Sequence, residues 1–201
     1  CSMDKIVLAS NNQGKLAEFQ ALFQPLGIQL INQGSLGITE AEEPHHTFVE
    51  NALVKARHAS AASGLPALAD DSGLVVPALN GAPGVLSARY ASISGGEKSD
   101  AANNRYLVQQ LHDIQDRSAF YVACLVFVRH AQDPCPIVAQ AFWHGEIVAE
   151  PRGENGFGYD PHFYLPDLGC TAAQMDKTHK NSVSHRAMAL KKLMLELKEY
   201  A

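Results

Sequence analysis

The chain has only four cysteines in 201 residues, and Cys1, Cys124, Cys135 and Cys170 are too scattered to form a C-x-x-C pair. A zinc ribbon and a disulfide framework are thereby excluded, and reduced thiols are the simpler reading. A basic excess is missing as well. Lys and Arg number 16 against 21 Asp and Glu, a formal charge of −5, which disfavours coating nucleic acid or an anionic membrane. An anionic substrate must then find local positive contacts or a metal. No apolar run approaches the ~20 residues of a spanning helix; the longest, Phe120 to Val128, stops far short of it. Ile6-Val7-Leu8-Ala9 is too short for a secretory core. The chain therefore reads as soluble and cytoplasmic, with neither nucleic acid nor membrane as a partner.

Apolar residues make up 46% and charged ones only 18%, enough to bury a large core and to exclude disorder. One domain over residues 3–201 is expected, with no repeat, low-complexity tract or linker, and Cys1-Ser2 ahead of Met3 reads as a remnant outside it. Strands and helices alternate along it. Ile6 to Ala9 is a strand, Ser10 to Lys15 a polar loop, and Leu16, Phe19, Leu22 and Phe23 recur at helical spacing until Pro25 and Gly27 stop them. A second strand follows at Gln29 to Ile31, then an acidic loop through Glu40, Glu42 and Glu43. Thr47 with Glu50 three residues on marks a capping box, and the helix it opens carries an Ala52, Ala56, Ala59 stripe and closes at Gly64. Leu65 to Ala69 reads as a short buried strand that ends in Asp70-Asp71-Ser72-Gly73, with Leu74 to Leu79 a further extended piece. Asn80 to Gly96 is an ordered loop, and Asp100 caps a helix through Leu111. Phe120 to Arg129 and Ile137 to Trp143 pair as strands across a turn. Phe163 to Leu165 is a short strand, and Ser184 caps a final helix carrying Leu190, Leu193, Met194 and Leu197. An α/β fold with a mixed sheet fits this order.

Several loops could carry chemistry. At Ser10-Asn11-Asn12-Gln13-Gly14-Lys15 a helix N-terminus offers backbone N–H groups and partial positive charge, to which Lys15 adds a full one. The spacing is not that of a Walker A loop, and a plain capping turn explains the segment alone equally well. At Asp70-Asp71 adjacent carboxylates repel unless a cation or proton intervenes. A hard dication such as Mg²⁺ takes one or two carboxylates plus phosphate oxygens and water, and Glu42-Glu43 could supply a further ligand. The plainer alternative is an exposed turn with two acids. Lys55 shares a helix face with Asn51 and Thr47, though alone it reads as a solvated lysine. Gly153 to Pro161 combines glycines, Phe157, Tyr159 and Asp160; a planar base can stack on such a ring, but a structural turn is the competing reading. The string is not G-x-G-x-x-G. Ser184-His185-Arg186, with Lys180 upstream, carries donors that suit a carbonyl or phosphate. His45-His46 lacks partners at zinc-ligand spacing and reads as loop, and the absence of G-x-S-x-G excludes a serine hydrolase of that type.

Together these segments resemble the inosine triphosphate pyrophosphatase family, in its bacterial branch. The resemblance runs almost end to end. It rests on Ser10 to Lys15, Thr47 to Ala56, Ala69 to Leu74, Gly81-Ala82-Pro83-Gly84-Val85-Leu86-Ser87-Ala88-Arg89-Tyr90, Gly156 to Pro161 and Ser184 to Arg186, in the family's order and at its spacings. It implies two lobes around a long twisted mixed sheet with flanking helices, a nucleotide cleft between the lobes, and a homodimer. It implies hydrolysis of noncanonical purine nucleoside triphosphates (ITP, dITP, XTP) to monophosphate and pyrophosphate, with Mg²⁺ as cofactor. By similarity Asp71 is the general base and shares the metal with Glu43. Ser10, Asn11, Asn12, Gln13, Gly14, Lys15 and Lys55 hold the triphosphate, and Ser72 touches substrate. Phe157, Gly158, Tyr159 and Asp160 form the nucleoside wall, while Lys180, His185 and Arg186 read the base. Ser10 stands where threonine is frequent, and His162 and His179 where an apolar residue and glutamate are usual, which leaves the ranking of substrates open. Two other readings compete: an aspartyl-nucleophile phosphatase, which would place its aspartates one residue apart rather than adjacent, and a nucleotide sensor, which could dispense with the acids.

Overall fold

The expected alternation of strands and helices is present in the computed structural model, which describes residues 4–200. Cys1-Ser2 and the expected domain limits at Met3 and Ala201 lie outside the described residues. Strand β1 (Lys5–Leu8) leads into α1 (Gln13–Phe23), whose N-cap Asn12 accepts the Lys15 N–H and which buries Phe19 and Phe23. Pro25 turns the end of α1 into a short 3₁₀ segment, and Gly27 ends it at φ 70°. Strand β2 (Gln29–Asn32) and α2 (Phe48–Ser63) follow. Thr47 caps α2 by accepting the Glu50 N–H, Glu50 accepts the Thr47 hydroxyl in return, and Gly64 closes the helix at φ 71°.

Strand β3 (Ala67–Val75) is one continuous nine-residue element. The expected break at Asp70-Asp71-Ser72-Gly73 does not occur, because the strand is buried along almost its whole length and the sheet takes up backbone groups that a turn would leave to water. The expected extended piece beyond it becomes a 3₁₀ turn at Pro77–Leu79. Asn80 to Gly96 is likewise wound into 3₁₀ turns over Gly84–Arg89 and a single helical turn, α3 (Tyr90–Ile93). Helix α4 (Asp100–Gln110) is capped by Ser99, whose hydroxyl accepts the Ala102 N–H, and not by Asp100 as expected. Strands β4 (Ser118–Val128) and β5 (Ile137–Ile147) are long, β5 outrunning its expected end by four residues. Strand β7 (Cys170–Thr171) beyond β6 (Phe163–Leu165), and helix α5 (Lys177–Val183) capped by Asp176, were not expected either. Ser184 accepts the Ala187 N–H and caps α6 (His185–Tyr200) as anticipated.

The seven strands form one sheet in the order β2-β1-β3-β4-β5-β6-β7. β1 runs parallel to β2 and β3, with Val7 opposite Ile31 and Ala67, whereas β6 is antiparallel to both β5 and β7. The sheet is mixed and helices flank it, as the α/β reading requires. By contacts the chain forms two units: residues 1–71, 124–140 and 190–201, and residues 72–123 and 141–189. In the first, Ala52, Ala56 and Ala59 of α2 pack on Val7, Ala9, Ala67, Ala69, Cys124, Val126 and Val128; the small side chains let the helix lie close to the strands. In the second, Leu74, Leu107, Leu111, Tyr121, Trp143, Tyr159 and Phe163 make an aromatic-rich core.

Candidate functional site

In the first unit the alanine stripe of α2 places Lys55 beside the sheet, and its ammonium donates to the Asp70 carbonyl oxygen at 2.7 Å. The same Nζ lies 2.9 Å from Glu43 Oε1 and 3.7 Å from Asp71 Oδ1. Asn51, one turn earlier on α2, pins the loop that carries Glu43: its Oδ1 accepts the His45 N–H and its Nδ2 donates to the His45 carbonyl. The sequence places Asn51 on one helix face with Lys55; its part in the loop depends on a partner six residues back. Lys15 forms a 3.1 Å ion pair with the buried Asp70. Three carboxylates and two ammonium groups are thus gathered in one cluster.

Burial pushes the Asp71 carboxyl from the ordinary 3.8 up to about 6, Glu43 and Asp70 adding to the rise and Lys55 and Lys15 opposing it. Burial also works against the charged form of Lys55, yet Asp71, Glu43 and Asp70 outweigh it and raise that pKa. Asp71 Oδ2 is buried and has no hydrogen-bond partner, an arrangement that costs about 1–3 kcal/mol unless something fills the position. A hard divalent cation fits this carboxylate donor set and the orphaned oxygen. Among the described residues no three His, Cys, Asp or Glu side chains form a metal-binding group, so such an ion would complete its shell from phosphate and water. Burial, with Asp70 and Asp71 near, pushes the Cys124 thiol up to about 12, which keeps it protonated. The Ser10–Lys15 segment wraps the start of α1: Ser10 Oγ accepts the Asn12 N–H and Asn12 Oδ1 the Lys15 N–H. Asn11, Asn12, Gln13 and Gly14 are exposed, and a Cβ on Gly14 would stand 3.2 Å from Asn12 Oδ1.

The second unit holds the aromatic loop and the last basic residues. Phe157 is 55% exposed, with Lys180 Nζ 4.7 Å and Arg186 Cζ 5.4 Å from its ring centre. Asp160 is buried, and both its oxygens are used: Oδ1 accepts the Tyr121 hydroxyl at 2.9 Å, Oδ2 the Lys180 ammonium at 2.6 Å and the Phe157 N–H at 3.1 Å. A side chain on Gly156 would collide with the Asp160 carboxylate. Tyr159 belongs to the core, its hydroxyl donating to the Ser87 carbonyl at 2.6 Å. Of the four expected wall residues only Phe157 and Gly158 are presented, while Tyr159 and Asp160 face inward. His185 stacks on Tyr121 with ring centres 4.7 Å apart and an 11° tilt, and Arg186 donates to the Ser72 hydroxyl at 3.1 Å. Tyr121 was missed, since a tyrosine in an apolar strand carries no local sign of a partner 39 residues on. Of the other histidines singled out in the sequence, His45 lies 3.4 Å from Glu50, His162 is buried against the Val148 carbonyl, the His179 N–H bonds the Asp176 cap, and His46 is exposed.

The Ham1 family profile matches residues 6–196. The dITP/XTP pyrophosphatase of Burkholderia pseudomallei is 65% identical over 195 residues, covering 97% of this chain and 94% of that protein. The dITP/XTP pyrophosphatase of Bordetella pertussis is 64% identical over 197 residues, 98% of this chain and 92% of that one. A HAM1 protein from Coxiella burnetii, 48% identical, superposes with a TM-score of 0.91 over 98% of this chain and 100% of its own. The resemblance read from the motifs holds over residues 6–196: the protein belongs to the Ham1 family.

Proposed function

We propose that the protein hydrolyses noncanonical purine nucleoside triphosphates (dITP, XTP and ITP) to the monophosphate and pyrophosphate, with residues 3–201 working as one enzyme. The observation that carries this reading is the meeting of Glu43 and Asp71 on Lys55, in a chain about two-thirds identical to dITP/XTP pyrophosphatases. Phosphoryl chemistry asks a protein chiefly for positioning and charge stabilisation. Asp71, raised to about 6, is ionised at neutral pH and still basic enough to take the proton of a water attacking the α-phosphorus. Lys55, Lys15 and the N-terminus of α1, with Ser10, Asn11, Asn12, Gln13 and Gly14, hold the triphosphate and offset the charge of departing pyrophosphate. Glu43 and Asp71 are the residues that would hold Mg²⁺, which when bound supplies Lewis-acid charge to the phosphate oxygens.

Phe157 and Gly158 give the base a surface to stack on, and Ser72, His185, Arg186 and Lys180 surround it with donors. A 6-oxo purine accepts such donors, whereas the 6-amino group of adenine leaves them facing another donor, and a polar site rejects such a mismatch strongly. Asp160 and Tyr159 serve by holding that surface in place. The Phe120, Phe142 and His144 rings cluster on β4 and β5, with Phe142 42% exposed; a second copy of the chain is the partner we assign to this face, making a homodimer. No helix among the described residues is long and apolar enough to cross a membrane, and the thiols of Cys124, Cys135 and Cys170 suit a reducing cytoplasm. A nucleotide panel with separate detection of pyrophosphate and orthophosphate tests the function. Pyrophosphate from dITP, XTP and ITP, little from dATP and none without a divalent cation is the expected result. Orthophosphate would instead favour the phosphatase reading, and no turnover the sensor.

A further inference from the structure

Phe157 sits between two glycines with left-handed backbones, Gly156 at φ 73° and Gly158 at φ 61°. Glycine backbone is the least restricted of any residue, so the pitch of an exposed ring in such a loop must be set from outside. One anchor lies within the loop, from the Phe157 N–H to Asp160. The other comes from helix α4, more than fifty residues away in sequence. Asp100 Oδ2 accepts the Gly158 N–H at 2.9 Å, and Asn104 Nδ2 donates to the Gly158 carbonyl at 2.9 Å. Both polar groups of one peptide-forming residue are thus taken by side chains one helical turn apart.

Neither side chain is needed by its own helix. Ser99 caps α4, which leaves the Asp100 carboxylate, in a first turn where negative charge is favoured, to bond the loop. Asn104 is buried with its Oδ1 lacking any partner, an expensive orientation that the Nδ2 bond to Gly158 accounts for. We propose that Asp100 and Asn104 are positioning residues for nucleobase recognition, fixing the Gly158 peptide and with it the ring of Phe157. This role rests on the function proposed above and extends it to helix α4.

The test compares Asp100→Ala, Asn104→Asp and Asp100→Asn with the unaltered enzyme, using dITP as substrate and inorganic tripolyphosphate, which has no base, as competitor. Losing one anchor raises the KM for dITP about tenfold in Asp100→Ala and Asn104→Asp, with kcat within about twofold and the tripolyphosphate Ki unchanged. Asp100→Asn stays near the unaltered enzyme because its amide oxygen still accepts the Gly158 N–H. Amide exchange over residues 153–160 should quicken in the first two variants only. An unchanged KM in both, or a Ki that rises together with KM, overturns the proposal. If Asn104→Asp fails to fold, the exposed Asp100 pair decides alone. Failure of the unaltered enzyme to release pyrophosphate from dITP would sink the function itself; activity with an unchanged KM in both Asp100→Ala and Asn104→Asp would sink only the positioning role.

Discussion

Asp71 and Asp160 are both buried carboxylates, yet Asp71 keeps one oxygen without a partner while Asp160 has both oxygens bonded, to Tyr121, Lys180 and the Phe157 N–H. The first belongs to a cluster in which like charges crowd together and burial lifts the pKa to about 6. The second belongs to a closed network that completes itself inside the protein. A group with an orphaned oxygen and a near-neutral pKa is arranged to exchange partners with something that arrives. A group with both oxygens bonded is arranged to hold its neighbours still. In the function proposed above, chemistry falls to the first carboxylate and positioning to the second, although both occur in segments that look alike as acid-bearing loops in the sequence.

The contrast predicts opposite consequences for similar substitutions. Asp71→Asn should lower kcat with dITP by about 10³-fold while equilibrium binding of dITP changes by less than about fivefold; rapid-quench turnover beside calorimetric binding checks both. Asp160→Ala should act mainly on stability. It strands a half-buried lysine and a buried tyrosine hydroxyl, and the expected cost is about 2–4 kcal/mol in urea unfolding. If the Asp71 variant proves the unstable one and the Asp160 variant the stable one, the division of labour is wrong. Arg186→Ala should narrow the dITP/dATP ratio of kcat/KM by about tenfold, read from the same assay with both nucleotides.

The smallest effect concerns pH. The folded pKa of Asp71 lies above its ordinary 3.8, so the folded state binds this proton more tightly than the unfolded one. The contribution is present below about pH 4 and is lost as pH rises through about 6. In metal-free buffer Asp71→Asn should therefore gain stability over the natural enzyme between pH 4 and 7. The gain is on the order of 1 kcal/mol, within the ceiling set by a net shift of about two units that already includes the opposing pull of Lys55 and Lys15. Thermal melts at pH 4 and pH 7 show it as a difference in Tm that grows with pH.

Local signals were readable where local physics decides. Thr47, Glu50 and Gly64 bound α2 as their capping chemistry requires, and that helix delivers Lys55 to the acids. Asp70-Asp71-Ser72-Gly73 misled because each residue favours a turn, whereas burial within the sheet holds all four in β3. Ser99 and Asp100 are both good caps, and only the three-dimensional partner of Asp100 shows why the serine took that position. Tyr159 and Asp160 looked like wall residues for the same reason: the destination of a side chain, Ser87 or Tyr121, is set by packing of distant segments and leaves no trace in the spacing. The recognised motifs marked the segments that carry the clustered acids and lysines and the exposed Phe157, and side-chain geometry separated residues that are presented from those that hold them.

The central claim is that water activated by Asp71 attacks the α-phosphorus. Hydrolysis of dITP in ¹⁸O-labelled water tests it most directly. The label should appear in the monophosphate and be absent from pyrophosphate; label in pyrophosphate or in orthophosphate would contradict the account.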